Sequence, residues 1–431
     1  MNMNAVTANS KGDIFERPGF LMTGRSGDLY RLPLEEELID LPTNTQVTFL
    51  PKRIPILWNQ NLKKPQLDPT SSEKENLTAG AILPIGYLRT LLPATAPVQK
   101  DFLPQWAYAA IGRSKKNVMG AAIRIDSSDR WENHHYNTPG LLVKIERRLS
   151  KEPQNRILKQ LALCASEYHC NTAQNIFYER WEGALPVSPA CNAQCVGCIS
   201  LQPEELPPSS HQRINFAPYL EEVLPIALSH LEKSEDAILS FGQGCEGEPL
   251  LVSNTIEKAL KEIRLRTSFG TLNLNTNASR PHDFLKLCQA GLESVRISMN
   301  SAIPETYAAY YQPRGYDFKE VVETAHIARE NGLAISINLL TFPGVTDREE
   351  EAKALITFIH QTKINAIQWR NLAIDPDQYL LALPKRKGNI LGLTTLLKIL
   401  RKEFPNLHHL SFSRPKEFFN ENPKIKHQKS K

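Results

Sequence analysis

Cys191, Cys195 and Cys198 stand in the run Pro189-Ala190-Cys191-Asn192-Ala193-Gln194-Cys195-Val196-Gly197-Cys198. Thiolates four and three residues apart can serve one metal centre from a single short loop. Three of them leave one iron of a four-iron cluster without a protein ligand, and that open corner is where chemistry can happen. A zinc site is the alternative chemistry. It needs a fourth ligand, and the neighbouring sequence offers only His211. Three ordinary buried thiols are the remaining reading.

A second stretch invites a ligand. Phe241-Gly-Gln-Gly-Cys-Glu-Gly-Glu-Pro-Leu250 has too many glycines and acids for a packed element. Glycine allows close backbone approach, and a carboxylate beside it accepts hydrogen bonds from an ammonium group. Two further runs, Asn273-Leu-Asn-Thr-Asn-Ala278 and Arg296-Ile-Ser-Met-Asn-Ser301, are rich in amide and hydroxyl groups that suit a ribose or a carboxylate, although such residues at strand ends also serve as turns and helix caps.

In this order the motifs resemble the radical S-adenosylmethionine (radical SAM) superfamily over about residues 185 to 375. The resemblance implies that Cys191, Cys195 and Cys198 hold a [4Fe-4S] cluster and that Gly247 and Glu248 bind the amino group of S-adenosyl-L-methionine, with Glu246 in place of a glycine. It further implies that Thr276, Asn277, Ser298, Asn300 and Asn338 contact the cosubstrate, and that Pro343-Gly-Val-Thr-Asp-Arg348 forms the adenine-side segment. Gly197 departs from the family pattern, where an aromatic residue usually precedes the third cysteine. The implied activity is reductive cleavage of S-adenosylmethionine to a 5′-deoxyadenosyl radical that acts on an unidentified substrate, with an electron donor such as flavodoxin or ferredoxin as partner. A small molecule or cofactor intermediate is expected first. Modification of a peptide or RNA, or a non-catalytic cluster- or zinc-binding scaffold, is the alternative.

Elements that position these residues can be read from the pattern. From Leu185 onward, β-rich runs alternate with amphipathic stretches at about the period of a βα unit. The expected strands are Leu185 to Ser188, Ala237 to Phe241, Leu272 to Asn275, Ser294 to Ser298, Ile335 to Leu340 and Ile364 to Trp369. Helices are expected at Tyr219 to Lys233, Thr255 to Arg266, His282 to Gln289, Phe318 to Asn331 and Arg348 to Thr362. The fold class is therefore α/β, a partial (β/α)6 TIM-like barrel over 181–405, in which functional residues gather at the carboxyl ends of the strands.

Before the barrel, a disordered segment is expected over 1–15 and a smaller mixed α/β module over 16–180. Its signals are short proline-rich β runs, a hairpin of Trp106 to Gly112 with Val118 to Asp126, and a helical stretch from Leu141 to about Tyr178. A terminal strand and a basic disordered tail are expected over 406–431. The 431 residues suffice for two cores, and 41% hydrophobic with 23% charged residues is a globular composition. A formal charge of +5 without a long basic run gives no indication of nucleic acid. The first twenty residues lack the apolar core of a secretory signal, no run reaches membrane-spanning length, and seven cysteines read as reduced thiols, so a cytosolic protein without a membrane partner is expected.

Two more residues are candidates for the reaction itself. Cys245 lies close enough to Gly247 to face the same cavity and donate a hydrogen atom, with packing as its other reading. Arg370, in Gln368-Trp369-Arg370-Asn371, is expected to clamp a substrate carboxylate or phosphate at the barrel mouth; the alternative is a structural pair with Asp375.

Overall fold

Residues 3–72, 74–99, 101–127 and 129–420 are described by the structure, a computed structural model. The chain opens in antiparallel strands. Asn4–Ala8 pairs with Ile14–Leu21, and Ile111–Arg113 pairs with Val118–Arg124 as the expected hairpin. The expectation of disorder over 1–15 is not met for the described residues 3–15, because Val6 and Ala8 bury against Ala79, Ala81 and Ile111 in a small core of their own. Helices Leu141–Lys151, Arg156–Ser166 and Asn171–Tyr178 follow. They were expected to belong to the N-terminal module, yet Ile145, Ile157, Leu161 and Ile176 enter the same apolar core as the barrel strands. An amphipathic helix goes where its stripe is covered, and here the barrel wall covers it.

The barrel strands are β1 (Glu182–Leu185), β2 (Ile238–Phe241), β3 (Thr271–Thr276), β4 (Ser294–Met299), β5 (Ala334–Thr341), β6 (Ala366–Asn371) and β7 (His408–Leu410). They pair in that order, all parallel, as an open seven-stranded sheet. Helices α1 (Leu220–Lys233), α2 (Ser253–Arg266), α3 (Pro281–Gln289), α4 (Pro304–Tyr311), α5 (Phe318–Glu330), α6 (Glu349–Thr362), α7 (Pro376–Ala382) and α8 (Leu393–Glu403) connect them. The first strand lies three residues earlier than its apolar run suggests. The amides of Val187 and Ser188 donate to Glu246 Oε2, both at 2.8 Å, so they leave the ladder and begin a loop.

The two faces of the sheet differ. Leu239, Leu272, Val295 and Ile335 share the outer face and are buried. On the inner face Ser298 pairs in register with Asn338, and Asn338 with Gln368. Parallel sheets covered on both faces usually read as apolar on both. The inner wall of this sheet is instead lined by polar side chains. Part of that wall is already satisfied: Ser240 donates to Glu182 Oε1 at 2.8 Å, and Asn273 donates to Ser240 at 3.0 Å.

The N-terminal strands pack against the carboxyl ends of β5 and β6. Arg53 pairs with Asp375 at 3.0 Å, each side chain 1% exposed. The Arg89 amide donates to Asn371 Oδ1 at 2.9 Å, and its guanidinium to the Leu372 carbonyl at 2.8 Å. Gly344 has φ +83°, and a Cβ there would lie 2.0 Å from the Gly27 amide nitrogen, so both chains approach as bare backbone. The segment Pro343 to Arg348 thus backs onto the N-terminal strands, with the Gly27 amide donating to the Pro343 carbonyl at 2.9 Å. Of the segment 406–431, β7 is the terminal strand, and the disorder expected after it is not met as far as Asn420. Arg414 pairs with Asp126 at 2.8 Å, the Lys416 amide donates to Thr271 Oγ1 at 3.0 Å, and Glu417–Asn420 is a short helix. The rest of the expected tail, 421–431, lies outside the described residues. Among the described residues no helix is long and apolar enough to cross a membrane.

Candidate functional site

The three cysteines lie on the loop between β1 and α1, and neighbouring loops hold that segment on both sides. From the loop after β2, the Gly247 amide donates to the Ser188 carbonyl at 2.7 Å and the Glu248 amide to the Ala190 carbonyl at 2.8 Å. A Cβ at position 247 would stand 1.9 Å from the Ala190 carbonyl oxygen, which explains why glycine is needed there. From α4, the Tyr311 and Tyr310 carbonyls accept the amides of Gln194 at 3.0 Å and Val196 at 2.9 Å. From the loop after β3, Asn277 Nδ2 donates to Asn192 Oδ1 and Asn192 Nδ2 to Ser279 Oγ, both at 2.9 Å. The cysteine loop is thereby fixed by three elements before any ligand enters.

All three thiols are free and half-buried. Burial pushes the Cys195 thiol well above its ordinary range, and the neighbouring Cys198 and Cys191 charges add to that. Burial also raises Cys191. Three thiolates this close are costly unless a cation holds them, and a bound metal supplies one. Arg213 Nη2 lies 3.6 Å from Cys198 Sγ. His211, the only fourth zinc ligand the sequence offered, has Nδ1 2.8 Å from the Ser210 hydroxyl and its ring against Tyr168. Among the described residues no three His, Cys, Asp or Glu side chains converge tightly enough to hold a single ion. In a four-iron cluster each thiolate takes a different iron, so the three need not converge on one point. An all-sulfur donor set beside a cation fits such a cluster.

Glu248 is buried, and its carboxylate is already engaged. Oε1 accepts from the Leu250 amide at 3.0 Å and the Thr276 hydroxyl at 2.5 Å, and Oε2 from the Asn277 amide at 2.8 Å. A carboxylate has about four lone-pair sites. Three are used, which leaves one on Oε2 for an outside donor. Burial lifts this carboxyl to about 7, and the three donors pull the other way. Glu246 serves a different purpose: besides Val187 and Ser188 it accepts the Gln243 amide at 2.6 Å, bracing the start of the cysteine loop, and burial lifts it to about 8.

Gly247, Glu248, Thr276 and Asn277 are therefore brought together beside the cysteine loop. Ser298 and Asn338 lie on the polar inner face, where Asn338 Oδ1 accepts from Arg370 Nε at 3.2 Å. Asn300 is placed otherwise. Just past β4, it turns its amide nitrogen to the Thr306 carbonyl at 3.3 Å and the Tyr379 hydroxyl at 3.2 Å, among α4 and α7. Cys245 is not brought to the group either. Its thiol is buried in the apolar core that also takes in Cys164 of helix Arg156–Ser166, which favours the packing reading over a hydrogen-atom donor. The expected alternative for Arg370 is also overturned, because Asp375 is taken by Arg53.

Sequence reasoning did not find Asn192, Ser279, Arg213 or the bracing role of Glu246. Asn192 stood inside the cysteine run, but its partners lie more than eighty residues away. Nor did it find Tyr310. A Cβ on Gly197 would lie 3.0 Å from the Tyr310 hydroxyl, so α4 fills the space that a side chain before the third cysteine would need.

Comparison with known proteins gives a match of residues 185–356 to the family model described as the radical SAM superfamily. GTP 3′,8-cyclase of Petrotoga mobilis is 27% identical over 187 residues, 43% of this chain and 54% of that protein. Molybdenum cofactor biosynthesis protein 1 of Mus musculus is 26% identical over 167 residues, 38% of this chain and 24% of that protein. The chain thus spans about half of the first relative and about a quarter of the second. Among solved structures, methylornithine synthase matches with a TM-score of 0.36 at 15% identity, over 61% of this chain and 73% of that one. SuiB of Streptococcus suis bound to S-adenosylmethionine matches with a TM-score of 0.37 at 16% identity, over 72% and 71%.

Proposed function

We propose, from the match of residues 185–356 to the radical SAM superfamily model, that the protein cleaves S-adenosylmethionine reductively in order to act on a small molecule held inside its barrel. The observation that carries this reading is the clamp between the cysteine loop and the Gly247-Glu248 loop, two backbone hydrogen bonds with no room for a Cβ between them. It sets the thiols beside the free lone pair of Glu248, as one ligand bound to both loops requires.

Cys191, Cys195 and Cys198 would hold the [4Fe-4S] cluster, and the cluster with S-adenosylmethionine supplies one-electron cleavage of a sulfur–carbon bond and hence hydrogen abstraction. The protein's own contributions are separable. Glu248 accepts an ammonium hydrogen on Oε2 while Thr276, Asn277 and Leu250 keep its carboxylate from turning. Glu246 holds the first turn of the cysteine loop, and the two asparagines Asn192 and Asn277 hold its middle. The N-terminal strands, locked on through Arg53 and Asp375, cover the ends of β5 and β6 and help keep bulk water from the inner face. An external electron donor such as flavodoxin or ferredoxin completes the reaction.

Anaerobic reconstitution with iron and sulfide, then dithionite and S-adenosylmethionine, tests the reading. About four irons per chain and the appearance of 5′-deoxyadenosine are expected. A cluster-free protein, or a loaded one that never forms 5′-deoxyadenosine, would refute it. GTP is the first substrate to supply, because the name of the Petrotoga relative points to it.

A further inference from the structure

Arg370 sits near the carboxyl end of β6 on the inner face, and its partners are neutral. Nε donates to Asn338 Oδ1 at 3.2 Å and Nη2 to Gln368 Oε1 at 3.1 Å. The same Gln368 oxygen accepts from Arg296 Nη1 at 2.9 Å, so one amide oxygen lies between two guanidinium groups. Arg296 has a counter-charge in Glu182 at 3.3 Å. Arg370 forms no ion pair among the described residues. The acids whose charge reaches it are committed elsewhere, Glu182 to Arg296 at 3.3 Å and Asp126 to Arg414 at 2.8 Å, and Asp375, near it in sequence, pairs with Arg53 at 3.0 Å.

Two guanidinium groups face one carboxylate, and the inner wall therefore carries one uncompensated positive charge. Buried charges are costly unless paired. The protonated form of Arg370 is accordingly disfavoured, its pKa drawn down to about 10 by burial first and by the Arg296 charge second. Its guanidinium nitrogens offer five N–H donors, and only Nε and Nη2 have partners among the described residues.

We propose that Asn338, Gln368 and Arg370 form an anion subsite that takes a carboxylate or phosphate of the substrate. The inference rests on the radical SAM reading and gives that reading a substrate class, an anionic small molecule. Place in the barrel separates this anion from the carboxylate of S-adenosylmethionine. Glu248, Thr276 and Asn277 border β3, and β6 is three ladder spacings away, roughly 14 Å along the curved sheet. Gln368 and Asn338 aim the guanidinium, and Arg296 with Glu182 holds Gln368 in turn.

The full-length reconstituted protein is titrated calorimetrically with inorganic phosphate and, separately, with S-adenosylmethionine. Wild type binds phosphate. Arg370→Gln weakens phosphate about tenfold or more, as loss of a charged hydrogen-bond donor requires, while S-adenosylmethionine affinity stays within about twofold. Arg370→Lys keeps the charge but not the fork, so it melts like wild type and weakens phosphate by a few-fold; it carries the test if Arg370→Gln does not melt cooperatively. Phosphate binding that is absent in wild type, or unchanged in both variants, overturns the proposal. So does a loss of S-adenosylmethionine affinity with phosphate unaffected, which would put Arg370 on the cosubstrate. A wild type that binds phosphate through Arg370 but never binds S-adenosylmethionine refutes the radical SAM reading and leaves the anion subsite standing.

Discussion

Replacing Gly247 by alanine should dislodge the cysteine loop while leaving the rest of the fold in place. The new Cβ would stand 1.9 Å from the Ala190 carbonyl oxygen, 2.4 Å from its carbon and 3.1 Å from the Cys191 nitrogen. These are backbone atoms, so no side chain can swing aside. Reaching ordinary contact requires a separation of about 1.5 Å more, which breaks the Gly247–Ser188 and Glu248–Ala190 hydrogen bonds of 2.7 and 2.8 Å. At about 1 kcal/mol net each, with some added cost for desolvated groups left unpaired, the loss is about 2–3 kcal/mol. A domain stable by roughly 5–15 kcal/mol survives that. The loop does not keep its position, and Cys191 moves with it. Iron per chain after anaerobic reconstitution and the thermal midpoint read the two effects apart. The variant should melt cooperatively a few degrees lower and retain less than about half of the wild-type iron. Gly140→Ala is the control, since its Cβ meets nothing within 4 Å. Wild-type iron content in Gly247→Ala would show that the clamp does not position the cysteines.

Alanine at Cys191, Cys195 or Cys198 should remove most bound iron, whereas alanine at Cys164, Cys170 or Cys288 should not; equal losses in both groups would end the cluster assignment. Glu248→Gln should weaken S-adenosylmethionine by about 1.5–3 kcal/mol in a titration of the reconstituted protein, the worth of a charged hydrogen bond, and an unchanged isotherm would remove Glu248 from the role. Glu351, buried under the Ser301 hydroxyl at 2.5 Å, has its carboxyl raised from 4.5 to about 7, chiefly by burial. Because the folded value is the higher one, the native state holds the extra proton, and stability falls as pH rises from about 4.5 through about 7. Urea unfolding at pH 5 and pH 8 should show Glu351→Gln gaining on wild type at the higher pH by up to about 3 kcal/mol. A difference that does not change with pH would refute this.

Local residue types were enough to point to the family whose model residues 185–356 match. The spacing of Cys191, Cys195 and Cys198 is a property of one loop, and the alternation of amides with leucines in Asn273-Leu-Asn is a property of one strand, so neither needed a distant partner to be recognised. The βα period likewise fixed the order of elements, and the observed strands fall within a few residues of the expected ones. What the sequence left open were choices between partners. The first strand ended early because Glu246, about sixty residues on, captured the amides of Val187 and Ser188. Cys245 went into the core because helix Arg156–Ser166, with Cys164, joins the same buried cluster. Arg370 lost its nearest acid to Arg53, which is over three hundred residues away. Sequence distance says nothing about which of two charges arrives first at a carboxylate. That is decided by how the N-terminal strands dock on β5 and β6, because a buried acid pairs with the cation whose backbone is held within reach.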